Sequence, residues 1–319
     1  MGFRFLDLLD QVFLSDGFCI GNRDLLLALL VVLVWGLNFA VIKVGVVGVP
    51  PMLLAALRFV FAVLPAIFFF RAPRVPLNLY LAYGLLISVG QFALLFTAIH
   101  VGMPSGLASL VLQAQAFFTL VFAALFLGER WKASQLAGLV LAGAGLALIG
   151  SSHGQAMPLL GFALTVGAAA AWAGGNIVSR AVSRHGPINQ LAFVVWSSLV
   201  PIGPFLALSW WFEGPAAISA ALAGLNLTSV ASVAYLAWAA TLFGYGVWTW
   251  LLSRHPANRV APFSLLVPLV GLSTGWLVFG ETLGPLHWAG GALLMLGLLM
   301  NVFGQPLLQP LLNRWTCQR

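Results

Sequence analysis

Apolar residues fill this chain in ten runs of roughly 20 residues, at 25–44, 52–70, 78–99, 104–127, 134–151, 158–180, 188–211, 229–253, 258–279 and 285–304. None of the runs alternates strictly between apolar and polar positions, so a helical period accounts for them and a strand period does not. A helix of that length rises about 30 Å, the thickness of the hydrocarbon core of a bilayer. Inside that core every backbone N–H and C=O has to be bonded within the protein, which leaves helices as the spanning form. The pattern predicts an all-α integral membrane protein with ten transmembrane helices.

The punctuation between the runs is itself repeated. Residues 104–129, PSGLASLVLQAQAFFTLVFAALFLGE, correspond to 256–281, PANRVAPFSLLVPLVGLSTGWLVFGE, at a constant offset of 152. Over positions 104–146 this register gives ten identities in 43, several at Pro, Gly and Glu, where apolar composition alone does not produce matches. A weaker correspondence, at an offset of 137, sets Trp35 and Lys43 in WGLNFAVIK against Trp172 and Arg180 in WAGGNIVSR, with Asn38 and Asn176 one place out of register. Only SSHGQAMP, 151–158, separates the halves, too short to link soluble domains. Each unit holds five helices. Five is odd, so the second unit enters the membrane from the opposite side, and the expected architecture is an inverted 5+5 repeat of units 25–151 and 158–304.

Composition agrees with the span pattern: 61% of residues are hydrophobic, 7% are charged and the mean hydropathy is +1.04. The net charge of +7 would suit a nucleic-acid partner, but the positions of the charges explain it otherwise. Twelve of the 14 Lys and Arg fall in pairs (Arg4 and Arg23, Arg71 and Arg74, Arg130 and Lys132, Arg180 and Arg184, Arg254 and Arg259, Arg314 and Arg319), each in an alternate inter-helix segment or a terminus. That is the positive-inside rule. It predicts a multi-pass protein of the cell membrane with both termini cytoplasmic, and no nucleic-acid partner. The N-terminal segment 1–24 carries Asp7, Asp10 and Asp16 and lacks the basic start and small-residue cleavage site of a signal peptide. A short helix on the inner surface, with Phe3, Leu6, Leu9 and Phe13 toward lipid or the bundle, is the alternative to disorder there. Residues 305–319 are expected as a cytoplasmic tail. Cys19 and Cys317 both fall on the reducing side, so no disulfide is expected.

WGLNFAVIK in the first span, LRFVFA with Arg58 in the second, GE at the ends of the fourth and ninth, and Gln135 with Gly138 after the first GE together resemble the drug/metabolite transporter superfamily in its EamA-type, ten-helix form. The resemblance covers residues 25–304, and its weight lies in the order and spacing of short motifs. Two positions depart from it: His287 stands in the second unit where Gln135 stands in the first, and Ala116 replaces the mid-span Pro present as Pro268. Within the superfamily, an aromatic-rich composition without phosphate-binding clusters looks most similar to amino-acid exporters, including the aromatic type. The resemblance implies export of small metabolites; the two inverted units point to alternating access, and the lack of Asp or Glu within the spans to facilitated diffusion or exchange. The alternative within the same fold is a sugar-phosphate or nucleotide-sugar antiporter, which would need two or more cavity cations. A non-transporting scaffold or receptor is the third reading.

Two charged side chains lie clearly inside predicted spans. Lys43 is about 27 Å along the first helix and can snorkel to the outer surface as a simple anchor. Arg58 lies about 9 Å below the outer end of the second span and should point into the bundle, either as a structural clamp or as a cavity cation meeting a substrate carboxylate. No span holds Asp or Glu, so a proton relay or sodium site on buried carboxylates is not expected. Paired acids, metal-ligand spacing and diphosphate motifs are likewise missing, which argues against an enzyme, a metal or a cofactor. The remaining substrate-binding candidates are neutral and aromatic: Trp35, Asn38, Gln91 and Gln113 in the first half, and Trp172, Asn176, Tyr245 and Trp248 in the second, beside Arg58. Each amide could instead bond a neighbouring helix. Gln113 and Gln115, about 200° apart on an ideal helix, should not both face a pathway. Trp210, Trp211, Trp276 and Trp288 read as interface belts. Small residues at Gly167, Ala171 and Gly175, and at Gly138, Ala142, Gly145, Gly290 and Gly297, permit close helix approach, with the fifth and tenth helices as candidates for a homodimer or scaffold face.

Overall fold

The structure, a computed structural model, describes residues 21–152, 157–186, 188–255 and 260–316. The expected surface helix in 1–20, with Cys19, and Cys317 at the other end lie outside the described residues.

In chain order the helices are α1 (Asn22–Gly48), α2 (Pro51–Ala66), α3 (Leu77–His100), α4 (Ser105–Leu127), α5 (Ala133–Ser151), α6 (Leu159–Ser183), α7 (Gln190–Ala223), α8 (Leu227–Leu252), α9 (Pro262–Phe279) and α10 (Pro285–Phe303). Among the described residues there is no strand, and all of these helices except α2 are long and apolar enough to cross a membrane. The chain is therefore an integral membrane protein. Helix α2 has 16 residues and stops short of the expected residue 70. Pro65, inside its last turn, has no N–H to give to the Phe61 carbonyl one turn back and crowds it, that carbonyl accepts from the Trp238 indole instead at 3.0 Å, and the chain then turns over residues 67–69. The last helix runs on beyond the expected span to Thr316.

Helix α7 also departs from expectation. Its turns continue past 211 to Ala223, interrupted at 198–201 and again at Gly214, whose φ of 82° only glycine adopts without strain. Glu213, expected in a loop, closes a wide turn over Ser209–Glu213 and reaches across to α2. There its carboxylate accepts the Met52 N–H at 2.6 Å, the Leu53 N–H at 3.1 Å and the Ser209 hydroxyl at 2.7 Å. The start of α2 has no cap of its own, so these bonds supply the acceptors that a helix N-terminus lacks.

The two GE dipeptides have the same backbone. Gly128 (φ 68°) and Gly280 (φ 62°) end α4 and α9 in the left-handed conformation, and the following Glu129 and Glu281 N–H groups close back on Ala123 and Gly275. This is the glycine helix stop, and it explains why glycine precedes each acid. Other irregularities recur as well. Wide, five-residue turns occupy Gly84–Gly90 in α3 and Tyr235–Phe243 in α8, and tight three-residue turns occupy Leu112–Ala114 in α4 and Ala261–Leu266 at the start of α9.

Helices α5 and α10 lie against each other through glycine. A Cβ on Gly138 would come 2.7 Å from the Gly297 carbonyl oxygen and one on Gly297 2.6 Å from the Gly138 oxygen; Gly145 and Gly290 stand in the same reciprocal relation at 2.5 and 2.6 Å. The small-residue faces of these helices are thus used within the chain. The main core draws on all ten helices, with Ala142 and Ile149 from α5 and Leu294 and Leu298 from α10, and at its centre Phe59 lies 5.8 Å from Phe92 and 5.9 Å from Phe205, ring centre to ring centre.

Candidate functional site

Eight of the ten helices wall a cavity of about 490 Å³, to which α5 and α10 contribute nothing. Helix α1 brings Trp35, Asn38 and Phe39; α2 brings Arg58; α3 brings Tyr83, Gln91 and Phe92; and α4 brings Ser109, Gln113 and Gln115. From the second half come Trp172, Asn176 and Ser179 on α6, Tyr245, Trp248 and Thr249 on α8, and Ser264 on α9. All nine residues singled out from the sequence lie in this wall. The lining extends to Ser183, Gln190 and Leu252, at the end of the bundle that carries Arg184 and Arg254, where Ser183 and Leu252 are exposed.

Irregular turns put several of these side chains in place. The wide turn of α3 ends at Gly90, directly before Gln91, and that of α8 ends at Phe243, just before Tyr245. Insertions of this kind rotate the following residues relative to a regular helix and concentrate at functional sites. The wide turn in α8 also receives Trp35: its indole N–H donates to the Ala240 carbonyl at 3.0 Å, and only the absence of a Cβ at Gly244 leaves room for the ring. Trp35 then sits 5.5 Å from Tyr245 and 5.2 Å from Trp248, ring centre to ring centre.

Gln113 and Gln115 both line the cavity, which corrects the expectation that only one could. The cause is the tight turn Leu112–Ala114. At about 120° per residue in place of 100°, it brings the two side chains about 40° closer around the axis. Gln115 is a site residue the sequence reading missed for this reason, and its amide oxygen accepts from Asn176 Nδ2 at 2.8 Å. Asn176 also donates to Thr119 at 3.1 Å, and Gln113 Nε2 donates to the Ser264 carbonyl at 3.0 Å. These amides both line the cavity and tie helices together. Asn38 and Gln91, 8% and 3% exposed, each keep an amide oxygen without a partner among the described residues.

Arg58 is 2% exposed. Its Nε donates to the Thr241 hydroxyl at 3.0 Å, and its guanidinium carbon stands 4.0 Å from the centre of the Phe92 ring. Thr241 lies in the wide turn of α8 and itself donates to the Leu236 carbonyl at 2.8 Å, so the turn orients the arginine.

At the end of the bundle opposite Arg184, an ion pair ties α1 to the end of α9. Lys43 is no simple anchor: its Nζ donates to Glu281 Oε1 at 2.7 Å and lies 4.4 Å from the centre of the Phe279 ring. The same carboxylate accepts the Ser105 N–H and hydroxyl, both at 2.8 Å, and the Gly106 N–H at 2.9 Å, at the N-terminus of α4. Burial alone would push the Glu281 carboxyl up, but the bonds from Lys43, Gly106 and Ser105 outweigh it and hold it below the usual carboxylate range. Glu129 has a matching base, Arg180, at 2.9 and 3.1 Å, but that pair is exposed. Partners 238 residues apart leave no mark in local sequence.

A helical membrane protein whose bundle holds a mainly apolar cavity with polar groups set into its wall, reaching exposed residues at one end, is built as a solute transporter. The sequence model of the EamA-like transporter family matches residues 23–151 and 159–303, and the chain belongs to that family. It is 52% identical over 286 residues, 89% of this chain and 96% of the relative, to a "Probable amino-acid metabolite efflux pump" of Salmonella typhimurium. A protein of the same description from Escherichia coli K12 is 50% identical over the same length and shares. The uncharacterized inner membrane transporter YedA of E. coli K12 is 25% identical over 286 residues, 86% of this chain and 88% of that one. A crystal structure with 19% identity shares the fold, with a TM-score of 0.60 over 92% of this chain and 99% of its own.

Proposed function

We propose that this transporter moves amino-acid metabolites, including neutral and aromatic amino acids, out of the cell through the cavity between its two halves. The observation that carries the reading is the cavity wall: indoles and apolar side chains for a hydrophobic moiety, neutral amides and one cation for a polar head. The 52% and 50% identical relatives, each described as a probable amino-acid metabolite efflux pump, point the same way.

Alternating access between inverted units is the mechanism this reading adopts. Helix α2 would be the tenth span, its outer end held by Glu213. The two separate family matches, the paired glycine stops, the recurring turns and the reciprocal glycine contacts of α5 and α10 support two five-helix units, 25–151 and 158–304. A residue of one copy meeting the counterpart of another, and the reverse, is the signature of a two-fold relation. The alternate basic segments support cytoplasmic termini in an inner membrane. On that orientation the cavity is open to the cytoplasm and the Lys43–Glu281 clamp seals the outside, the state that loads substrate for export. The wall holds no carboxylate among its described residues, which favours facilitated diffusion or exchange over ion coupling.

The antiporter alternative requires several cations around a phosphate; Arg58 is the single Lys or Arg in the described cavity wall. Expression in a bacterial strain fed neutral dipeptides tests the function. Faster appearance of the constituent amino acids in the medium, relative to an empty vector, is the expected result; equal rates with the protein present in the membrane would refute it.

A further inference from the structure

The described residues include four carboxylates, Asp24, Glu129, Glu213 and Glu281, and each is engaged away from the cavity. Asp24 is 2.7 Å from His255, Glu129 meets Arg180 at 2.9 Å, Glu281 holds Lys43 at 2.7 Å, and Glu213 caps α2. Arg58 has no such partner. It lies against the Thr241 hydroxyl and the rings of Phe92 and Phe59, at 4.0 and 5.8 Å, shares a small void with the neutral side chains of Tyr83, Ser88, Ser198 and Tyr245, and its Nη1 has no hydrogen-bond partner among the described residues. A guanidinium taken out of water with no anion beside it is strongly unfavourable, and aromatic faces offset only part of that cost. The arrangement is that of a site whose counter-charge arrives with its ligand.

Two further buried polar atoms in the same wall have no partner among the described residues, Asn38 Oδ1 and Gln91 Oε1, and as placed both are acceptors. The other amides of the wall each have at least one partner within the protein: Gln113 with Ser264, Asn176 with Gln115 and Thr119, and Gln190 with Ser183. Among the described residues, the fully buried polar atoms of the wall without a partner are therefore one cationic donor and two neutral acceptors. That is the complement of a carboxylate and an ammonium group carried by one molecule.

We propose that Arg58 binds the carboxylate of an α-amino acid, that Asn38 and Gln91 accept hydrogen bonds from its ammonium group, and that its side chain lies against Trp35 and Trp248. The planar fork of a guanidinium matches a carboxylate, and loading supplies the anion that the buried charge lacks. This assignment rests on the amino-acid reading and sharpens it. The cavity demands the zwitterionic end and is permissive toward the side chain, which meets the broad ring faces of Trp35 and Trp248.

Titration calorimetry of the purified full-length protein with L-phenylalanine, L-phenylalaninamide and N-acetyl-L-phenylalanine separates the two ends of the ligand. The wild type should bind phenylalanine about tenfold or more tightly than either derivative. Arg58→Gln should weaken phenylalanine by about tenfold to a hundredfold and bring its ratio to the amide close to one, while Arg58→Lys keeps a reduced preference for the acid. Gln91→Leu should lower the preference over the N-acetyl compound and leave the acid-to-amide ratio in place. Thermal unfolding confirms that each variant is folded; if Arg58→Gln is not, the lowered acid-to-amide ratio in Arg58→Lys carries the test. An unchanged ratio in both Arg58 variants overturns the assignment, as does Arg58-dependent binding of inorganic phosphate in preference to phenylalanine. If the wild type binds no neutral amino acid from alanine to tryptophan, the amino-acid reading itself falls with it.

Discussion

Replacing Glu281 by Gln removes the charge on which one ion pair and one helix end depend. The carboxylate accepts four hydrogen bonds, from Lys43, the Ser105 N–H and hydroxyl, and the Gly106 N–H. A carboxamide has one acceptor and one donor, so whichever way it turns its NH₂ faces another donor. If the oxygen takes the Oε1 place, the Ser105 and Lys43 bonds survive in weaker form and the Gly106 N–H is stranded. Hydrogen bonds to a charged group are worth about 1.5 to 3 kcal/mol each, and the lost charge also leaves Lys43, 33% exposed, unpaired. Discounting the lysine for solvent screening, the cost is about 3 kcal/mol. At about 2 °C per kcal/mol for a chain of this size, Tm in detergent should fall by about 6 °C. Glu129→Gln is the internal control. Its pair with Arg180 is exposed, at 45% and 52%, and such pairs contribute about 0 to 1 kcal/mol, so the shift should stay under about 2 °C. Equal shifts for the two variants would refute the reasoning.

The pH dependence follows from the same residue. The folded state holds the Glu281 carboxyl below its ordinary range, so its contribution is complete above the unfolded-state value of about 4.3 and is lost as pH falls through the lower folded value. The Tm gap between wild type and Glu281→Gln should be widest near neutrality and close on acidification below about pH 4, and a gap independent of pH would contradict it. Gly145→Leu drives a side chain into the Gly290 carbonyl and should destabilise by about 2 kcal/mol or more, measured as loss of folded protein on size-exclusion after heating. Glu213→Ala leaves the first N–H groups of α2 without acceptors and should cost about 1 to 2 kcal/mol, read as a lower Tm, whereas Ser219→Ala on the exposed face of the same segment should change it little.

The features that can be read from the sequence are those that depend on period and on local chemistry. Long apolar runs mark the helices, and the scarcity of mid-span polar residues makes Trp35, Asn38, Arg58 and Gln91 conspicuous within them. In a bilayer such groups have to face the bundle interior, which is why all nine candidates meet in one cavity. What escapes the sequence is whatever changes the period or joins distant segments. The wide turns in α3 and α8 carry no composition signal, and the tight turn in α4 moves Gln115 into the wall against the ideal helical angle. Glu213 has the sequence surroundings of a loop acid, yet α7 runs past it and the side chain caps α2. Lys43 reads as an anchor for the same reason, because Glu281 lies 238 residues away along the chain.

The most direct test of the transport assignment is counterflow in proteoliposomes. Vesicles loaded with unlabelled L-phenylalanine and diluted into a trace of the labelled form should accumulate label transiently with the wild-type protein, and much more slowly with Arg58→Gln. No accumulation above protein-free vesicles, for phenylalanine or any other neutral amino acid, from protein shown to be folded would contradict the account.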